Sequence, residues 1–545
     1  MDDQPARPRR SGHDTAVRLV CHLAVGLPIV VVGIRSLATG WLPTSDAAVF
    51  AWRARDVLSA HPTLLGAPTH TSGTAHPGFA PGPVLSWLAS VPVHLAPGTG
   101  ILWGSVLIAV AGASAAVEAG RAAWAPWGGV LAAASVLCLL ASESGIVLNP
   151  VWTPWLGAVW AVAALACAWA VATGRWWWWP GSVAASTVAA QAHVIFVLVA
   201  AGVCVAGPVV AVARRRPGGG PGDRSARRRA LGVGAVLGVV LWLPTVVDQA
   251  FGRPGNLTVL WEGAGGRGGT LGLTLALRGY GAATAPVASW MHRLPTDGAP
   301  ALFSIYATVF DAAAWQGAAT LVLVAVVAVV AGRTGRMRLA AAGWIALVAG
   351  TAAVATMAAV PRSDFLEVGY VSVVYWPAGM LAWAVLVAGA VELARAAAAR
   401  SGHRARVPTW AAGTVVAVVV LGSVALAVVD VGGVPDGRTV GGGPSAATVV
   451  RRSTGAVAAV APHRPFLLVL VGPDPRTQLP AYLGLGYALA ARGLPVRLPP
   501  ELAAGVAARY GAAPGMATVA VTVDRDLRPT VRVTAGSALV RRRHV

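Results

Sequence analysis

The amino-acid sequence predicts an all-α polytopic membrane bundle of about eleven spans, followed by a small C-terminal α/β domain on the extracytoplasmic side. Three observations lead there. Of 545 residues, 56% are hydrophobic and only 12% charged, with a mean hydropathy of +0.66, where a soluble globular chain carries about 25% charged residues. The apolar residues fall in long uncharged blocks, and about eighteen such residues suffice to cross a bilayer as a helix. After about Val431 the texture changes to short alternating strand and helix patterns.

The predicted spans are 16–38, 99–120, 126–146, 150–172, 177–192, 193–213, 230–248, 317–332, 339–360, 369–391 and 407–430. The pair between Arg175 and Arg214 is short: two spans, or one span and a re-entrant piece, must fit there. The net charge is +21 and every basic residue is Arg. The arginines cluster between apolar runs, at Arg7, Arg9 and Arg10, at Arg214 to Arg216 with Arg227 to Arg229, at Arg333, Arg336 and Arg338, and at Arg395, Arg400, Arg404 and Arg406. That is the distribution of cytoplasmic loops, whereas a nucleic-acid surface gathers its basic residues on one face, so no nucleic-acid partner is expected.

With residues 1–15 as a cytoplasmic tail, every cluster falls inside and the loops 39–98, 249–316 and 361–368 fall outside. The first span has no small-residue cleavage site and reads as uncleaved. An odd span count then exports the chain end. The bundle occupies 16–430, a Gly/Pro-rich linker 431–446, and the α/β domain 447–545, in a multi-pass protein of the cell membrane. Cys21, Cys138, Cys167 and Cys204 all lie in apolar segments without a CxxC pair, so they read as small buried hydrophobes rather than a zinc site or disulfides.

In the C-terminal region PFLLVLVG reads as a buried strand, AYLGLGYALAARG as a helix with a glycine stop, LPVRLP as a strand, ELAAGVAARYG as a helix, and ATVAVTVD and TVRVTAG as two more strands. Strands alternating with helices predict a partly parallel sheet. The loop GPDPRTQLP matches neither GxGxxG nor a P-loop, so a nucleotide site has little support there.

The chemistry concentrates in the first outer loop. Asp46 follows the first span directly. Ser45-Asp46 is expected to cap a short amphipathic helix with Val49, Phe50, Trp52 and Val57 on one side and Arg53, Arg55 and Asp56 on the other. Such a helix would lie on the membrane surface. His70 and His76 lie in the Pro/Gly/His-rich loop that follows, before PGPVLSWL leads back to the bilayer. His193 interrupts an apolar run, where a polar side chain is costly and often functional. Glu143 and Asn149 read as a structural cap at an outer turn, and Asp364 and Glu367 are further candidates in a short outer loop. The row Trp176 to Trp179 reads as an interfacial aromatic belt.

An acidic residue just after the first span, a surface helix, and an HPG…PGPxLxWL segment together resemble the GT-C class of polyprenyl-phosphate-sugar glycosyltransferases. The likeness is to the branch of protein O-mannosyltransferases and of aminoarabinose and lipopolysaccharide-core transferases, and more narrowly to actinobacterial membrane proteins with the same loop. QAHVIF (Gln191, His193), LWLPTVVDQAFGRPGNL (Trp242, Pro244, Asp248, Asn256) and VVYWP (Tyr375, Trp376) extend it over residues 15–430.

The resemblance implies transfer of a sugar from a polyprenyl-phosphate donor to an envelope glycan, lipid or protein at the outer leaflet. It places Asp46 as the catalytic carboxylate, pointing into a cavity beneath the loop. Arg53 and Arg55 would be cations for the departing phosphate, with His70, His76 and His193 as further substrate contacts. A divalent metal beside the donor is compatible with the class. Many relatives, however, carry two adjacent carboxylates where Asp46 is followed here by Ala47, which argues against a bridging metal. Plainer readings stand beside these: Asp46 as a helix cap, Arg53 and Arg55 on lipid headgroups, His76-Pro77 as a turn, and His193 as a hydrogen-bonded core histidine. The rival functions are a transporter or flippase of lipid-linked sugars and a non-catalytic envelope protein. Against transport, no inverted repeat is visible and intramembrane charges are few.

Overall fold

The computed structural model describes residues 12–69, 76–142, 151–214, 221–264, 269–291, 312–362, 369–400, 443–472 and 475–534. His70, Glu143, Asn149, Asp364, Glu367, the span 407–430 and most of the linker lie outside them.

Among the described residues, eight helices are long and apolar enough to cross a membrane. They fall in α1 (Gly12–Ala38), α4 (Gly100–Trp124), α6 (Thr153–Ala172), α8 (Val197–Ala213), α9 (Pro221–Phe251), α12 (Ala314–Arg333), α13 (Met337–Ala359) and α14 (Tyr375–Arg400). The segments expected as two further spans form the shorter helices α5 (Trp127–Ser142) and α7 (Trp179–Ala192). At 1.5 Å per residue the 14-residue α7 reaches only about 21 Å. The chain breaks at His193, whose backbone is extended, before a short 3-10 turn leads into α8.

Burial shows why this composition needs lipid. On α1 the side chains at every fourth position, Leu19, Leu23 and Leu27, are 50% or more exposed, and α9 presents Val236, Val239 and Leu243 outward in the same way. Water would not tolerate such continuous apolar faces, so the protein is a multi-pass membrane protein. Inside, Ala-rich α6 is the central helix and is buried along nearly its whole length. Small residues let backbones approach, as at the α4–α5 crossing, where a Cβ on Gly120 or Gly128 would overlap the other's carbonyl.

Among the described residues the charged contacts of the bundle gather at its two ends. At one end Arg121 reaches Asp14, Arg18 and His22 reach Glu118, and Arg336 and Arg395 share Glu392. At the other lie the first loop, the α9 C-terminus, and the helices α10 (Asn256–Gly263) and α11 (Gly272–Thr284), which fold the region expected as a long outer loop. Tyr280 of α11 is fully buried, and Tyr375 of α14 donates to Ala276 O at 2.8 Å.

The C-terminal unit begins with α15 (Gly443–Val460) and has a four-stranded sheet, β3 (Phe466–Val471), β4 (Val496–Arg497), β5 (Ala517–Val523) and β6 (Pro529–Thr534), in the order β4-β3-β5-β6. β3 is parallel to β4 and β5, and β6 is antiparallel to β5. α16 (Pro475–Ala491) and α17 (Pro500–Val506) supply the connections. The partly parallel α/β unit predicted from the strand and helix pattern is therefore present.

Candidate functional site

The first loop folds as α2 (Ser45–Asp56), a two-residue ribbon of β1 (Pro68–Thr69) and β2 (Gly78–Phe79), and α3 (Val84–Leu95). α2 departs from two expectations. Its N-cap is Thr44, without a side-chain capping bond, so Ser45-Asp46 does not cap the helix. Ser45 instead takes a left-handed backbone, φ 48°, a conformation uncommon outside glycine, and Asp46 occupies the first turn. Nor does α2 lie on a membrane surface. Ala47 to Ala54 are all buried, and Trp52 is fully enclosed.

The C-terminal unit provides that cover. Trp52 packs edge-on against Tyr487 and lies 4.9 Å from the Tyr510 ring centre. Asp56 is ion-paired with Arg509 and accepts from Tyr510 Oη at 2.8 Å. Burial pushes the Asp56 carboxyl above its ordinary value, although Tyr510 and Arg509 pull it back. Tyr487 Oη donates to Pro97 O at 2.7 Å, and Arg451 to Gly40 O at 2.6 Å. The unit is thus clamped to the first loop, at the end of the bundle opposite the arginine clusters.

Arg53, expected as a phosphate contact, is a clamp residue. It is 6% exposed. Nη1 donates to Val506 O at 2.8 Å and Gly505 O at 3.3 Å, and Nη2 to Leu65 O at 3.1 Å. Burial lowers its pKa to about 10, with Asp56 opposing the fall. Its guanidinium also lies 4.9 Å from the Phe79 ring centre. Arg55 is half-buried and lines a separate cleft of about 300 Å³ between α2, His94 and the C-terminal unit's Arg497 and Arg509. At 100° per residue Asp46, Phe50 and Arg53 share one face of α2 within about 60°, while Arg55 sits about 180° from Asp46. The structure therefore separates Arg55 from Asp46.

Beside the ribbon lies a cavity of about 480 Å³ with a predominantly apolar wall. It is bounded by the α7–α8 break at His193 to Leu198, by Trp242 of α9, by α10, by the end of α13 and by Thr69 and Pro81 of the first loop. Leu198 and Trp261, respectively 48% and 84% exposed, give it an apolar mouth. His193 is buried, and its Nδ1 accepts from Ile195 N at 3.4 Å. Gln191 braces the wall: Oε1 accepts from Val84 N at 3.1 Å and Nε2 donates to Leu241 O at 2.9 Å. Any side chain at Gly82 would collide with it. Asn256 makes a two-bond bridge to the Phe79 backbone, both 2.9 Å, and Asp248 accepts from Asn256 N. Trp242 Nε1 donates to Thr187 Oγ1 at 3.0 Å, and Thr245 to Pro81 O.

Of the candidate site residues that lie among the described residues, His193 lines this cavity, as does Trp242 of the LWLP segment. Asp46 is exposed and is absent from its wall, so the expectation that Asp46 looks into the cavity is not met among the described residues. His76 is exposed in the ribbon turn. Arg362, which the sequence reading did not single out, is exposed, follows the cavity residue Pro361 and donates from Nε to Thr270 O at 3.0 Å. Its one mark in the sequence is the Pro-Arg pair directly after a long apolar run. Among the described residues no three His, Cys, Asp or Glu side chains form a metal-ligand group.

No protein-family model matches the chain, and no curated protein does. Solved structures similar to it include apo ArnT from Cupriavidus metallidurans, at 17% identity and a TM-score of 0.43, covering 92% of each chain. Another is the archaeal oligosaccharyltransferase AglB from Archaeoglobus fulgidus in complex with an inhibitory peptide and a dolichol-phosphate. It is 12% identical with a TM-score of 0.41, over 94% of this chain and 69% of that one.

Proposed function

We propose that the protein is a GT-C-like glycosyltransferase that moves a sugar from a polyprenyl-phosphate donor to a cell-envelope acceptor at the outer leaflet. The observation that carries this reading is the apolar cavity with His193 in its wall, at the end of the bundle that also holds Asp46 and the C-terminal unit. A transfer enzyme for a lipid-borne sugar needs an apolar slot for the carrier and a polar, water-accessible site for the acceptor within one region. The first loop supplies the second. The arginine-rich opposite end faces the cytoplasm in this reading, so the C-terminal unit is extracytoplasmic.

The chemistry follows from the groups available. The acceptor hydroxyl oxygen attacks the anomeric carbon, and the Asp46 carboxylate, exposed at the same end of the bundle though outside the cavity wall, takes its proton from the acceptor side. The bond from that carbon to the phosphate oxygen breaks, and polyprenyl phosphate departs with the electron pair. Inversion at carbon passes through an oxocarbenium-like state, as in other glycosyl transfers. Arg362, next in sequence to the cavity residue Pro361, holds the phosphate in place of Arg53, and His193 in the cavity wall faces the carrier headgroup.

Filling the slot tests the assignment. Ala359 lines the cavity and is exposed at its mouth, so Ala359→Trp adds bulk without disturbing buried packing. Mass spectrometry of lipids co-purified with wild-type protein is expected to show polyprenyl phosphate, much depleted in the variant. Equal carrier in both would remove the cavity from the mechanism.

A further inference from the structure

At the arginine-rich end a second cleft, of about 360 Å³, lies where α4, α6 and α8 end and α13 begins. Its wall carries three guanidinium groups, Arg175, Arg214 and Arg338, and no carboxylate. This contrasts with the rest of that end, where Asp14, Glu118 and Glu392 are each already ion-paired with other arginines. Arg214 Nη1 donates to Met337 O at 2.6 Å, which fixes it across the α8–α13 junction. The side chains of Arg175 and Arg338 make no hydrogen bond or ion pair among the described residues, and both are exposed.

Capping of helix ends does not account for the cluster. Three of the last four carbonyls of α6 are already bonded: Thr173 N, Gly174 N, Arg175 N and Thr173 Oγ1 donate to Trp169, Ala170 and Val171. The Arg175 guanidinium is therefore not required there. The remaining wall is largely apolar, formed by alanines of α4, α6 and α8 with Met337. The Trp176 to Trp179 row follows Arg175 directly, with Trp177 58% exposed and Arg227 stacked 5.7 Å from the Trp176 ring centre. Such aromatic groups sit at headgroup depth, so the three cations lie at the level of lipid phosphates.

We propose that this cleft binds the phosphate of an anionic phospholipid in the leaflet at the arginine-rich end. Basic pockets between membrane helices on that side recognise such headgroups, each cation contributing a comparable increment. The apolar wall, on a protein whose neighbouring helix faces are apolar, favours a lipid-borne phosphate over a free one. The proposal is independent of the glycosyl-transfer reading.

Native mass spectrometry of the whole protein, released from detergent and offered phosphatidylglycerol, phosphatidylcholine or inorganic phosphate, tests it. Wild type is expected to retain one phosphatidylglycerol in preference to phosphatidylcholine. Arg175→Gln with Arg338→Gln removes two cations that hold nothing else among the described residues, and affinity should fall about fivefold per arginine, roughly twenty-five-fold together. The control pair Arg228→Gln with Arg333→Gln removes the same charge from exposed sites outside the cleft and should leave retention unchanged. Equal retention of the two lipids, an equal loss in the control pair, or displacement of the lipid by millimolar phosphate would each overturn the proposal.

Discussion

Replacing Arg53 by Met separates the clamp role of this residue from the substrate role that its sequence position suggested. Methionine keeps much of the length and apolar stem but removes three hydrogen bonds, at 2.8, 3.1 and 3.3 Å, to Val506, Leu65 and Gly505. Bonds from a charged donor contribute about 1.5–3 kcal/mol each. Burial of the guanidinium, which lowers its pKa to about 10, offsets part of that gain. A net loss of about 3 kcal/mol at the seam follows. By the relation of about 1.4 kcal/mol per tenfold, the open population of the seam should rise roughly a hundredfold. Hydrogen exchange at the amides of α2 and of residues 503–512 reads this directly. Unchanged protection, together with weakened use of donor, would refute the clamp and return Arg53 to the phosphate.

Two further outcomes follow. Burial raises the Asp56 carboxyl above its ordinary 3.8, so its contribution to the seam is whole below that pH and is lost as pH climbs through the raised value. Exchange protection of α2 should accordingly fall on going from pH 4 toward neutrality, and Asp56→Asn should flatten that profile; a profile unchanged by the substitution would contradict the assignment. Arg362→Ala should raise the donor KM several-fold with kcat less affected, as expected for a cation that holds phosphate in the ground state. An unchanged KM would remove Arg362 from the site.

Much of the architecture was legible because it depends on local pattern. The apolar blocks gave α1, α4, α6, α12 and α13 to within a few residues, and PFLLVLV and ATVAVTV carry the alternation of half-buried strands that became β3 and β5. The environment of α2 was not legible. Arg53 and Asp56 look like a solvated face because their partners, Val506 and Tyr510, lie more than 450 residues away in sequence. No helical periodicity reports a surface supplied from that distance. α11 was missed for a related reason: its 13 residues are too short and too mixed to read as a span, and only packing against α12 and α13 makes them a core helix. At the site, His193 was visible as a polar residue in an apolar run. The cavity beside it is assembled from six chain segments, and so could not be read from any of them.

The central claim is that Asp46 accepts a proton during sugar transfer, and the most direct measurement is the pool of polyprenyl-phosphate sugar in cells that lack the protein. That pool should accumulate on deletion and be cleared by wild type. Asp46→Asn keeps the shape of the side chain but cannot take the proton, and a positioned base contributes about 10²- to 10⁴-fold. The well-expressed Asn variant should therefore leave the pool uncleared, whereas clearance at the wild-type rate would contradict the account and leave Asp46 a structural role in the first turn of α2.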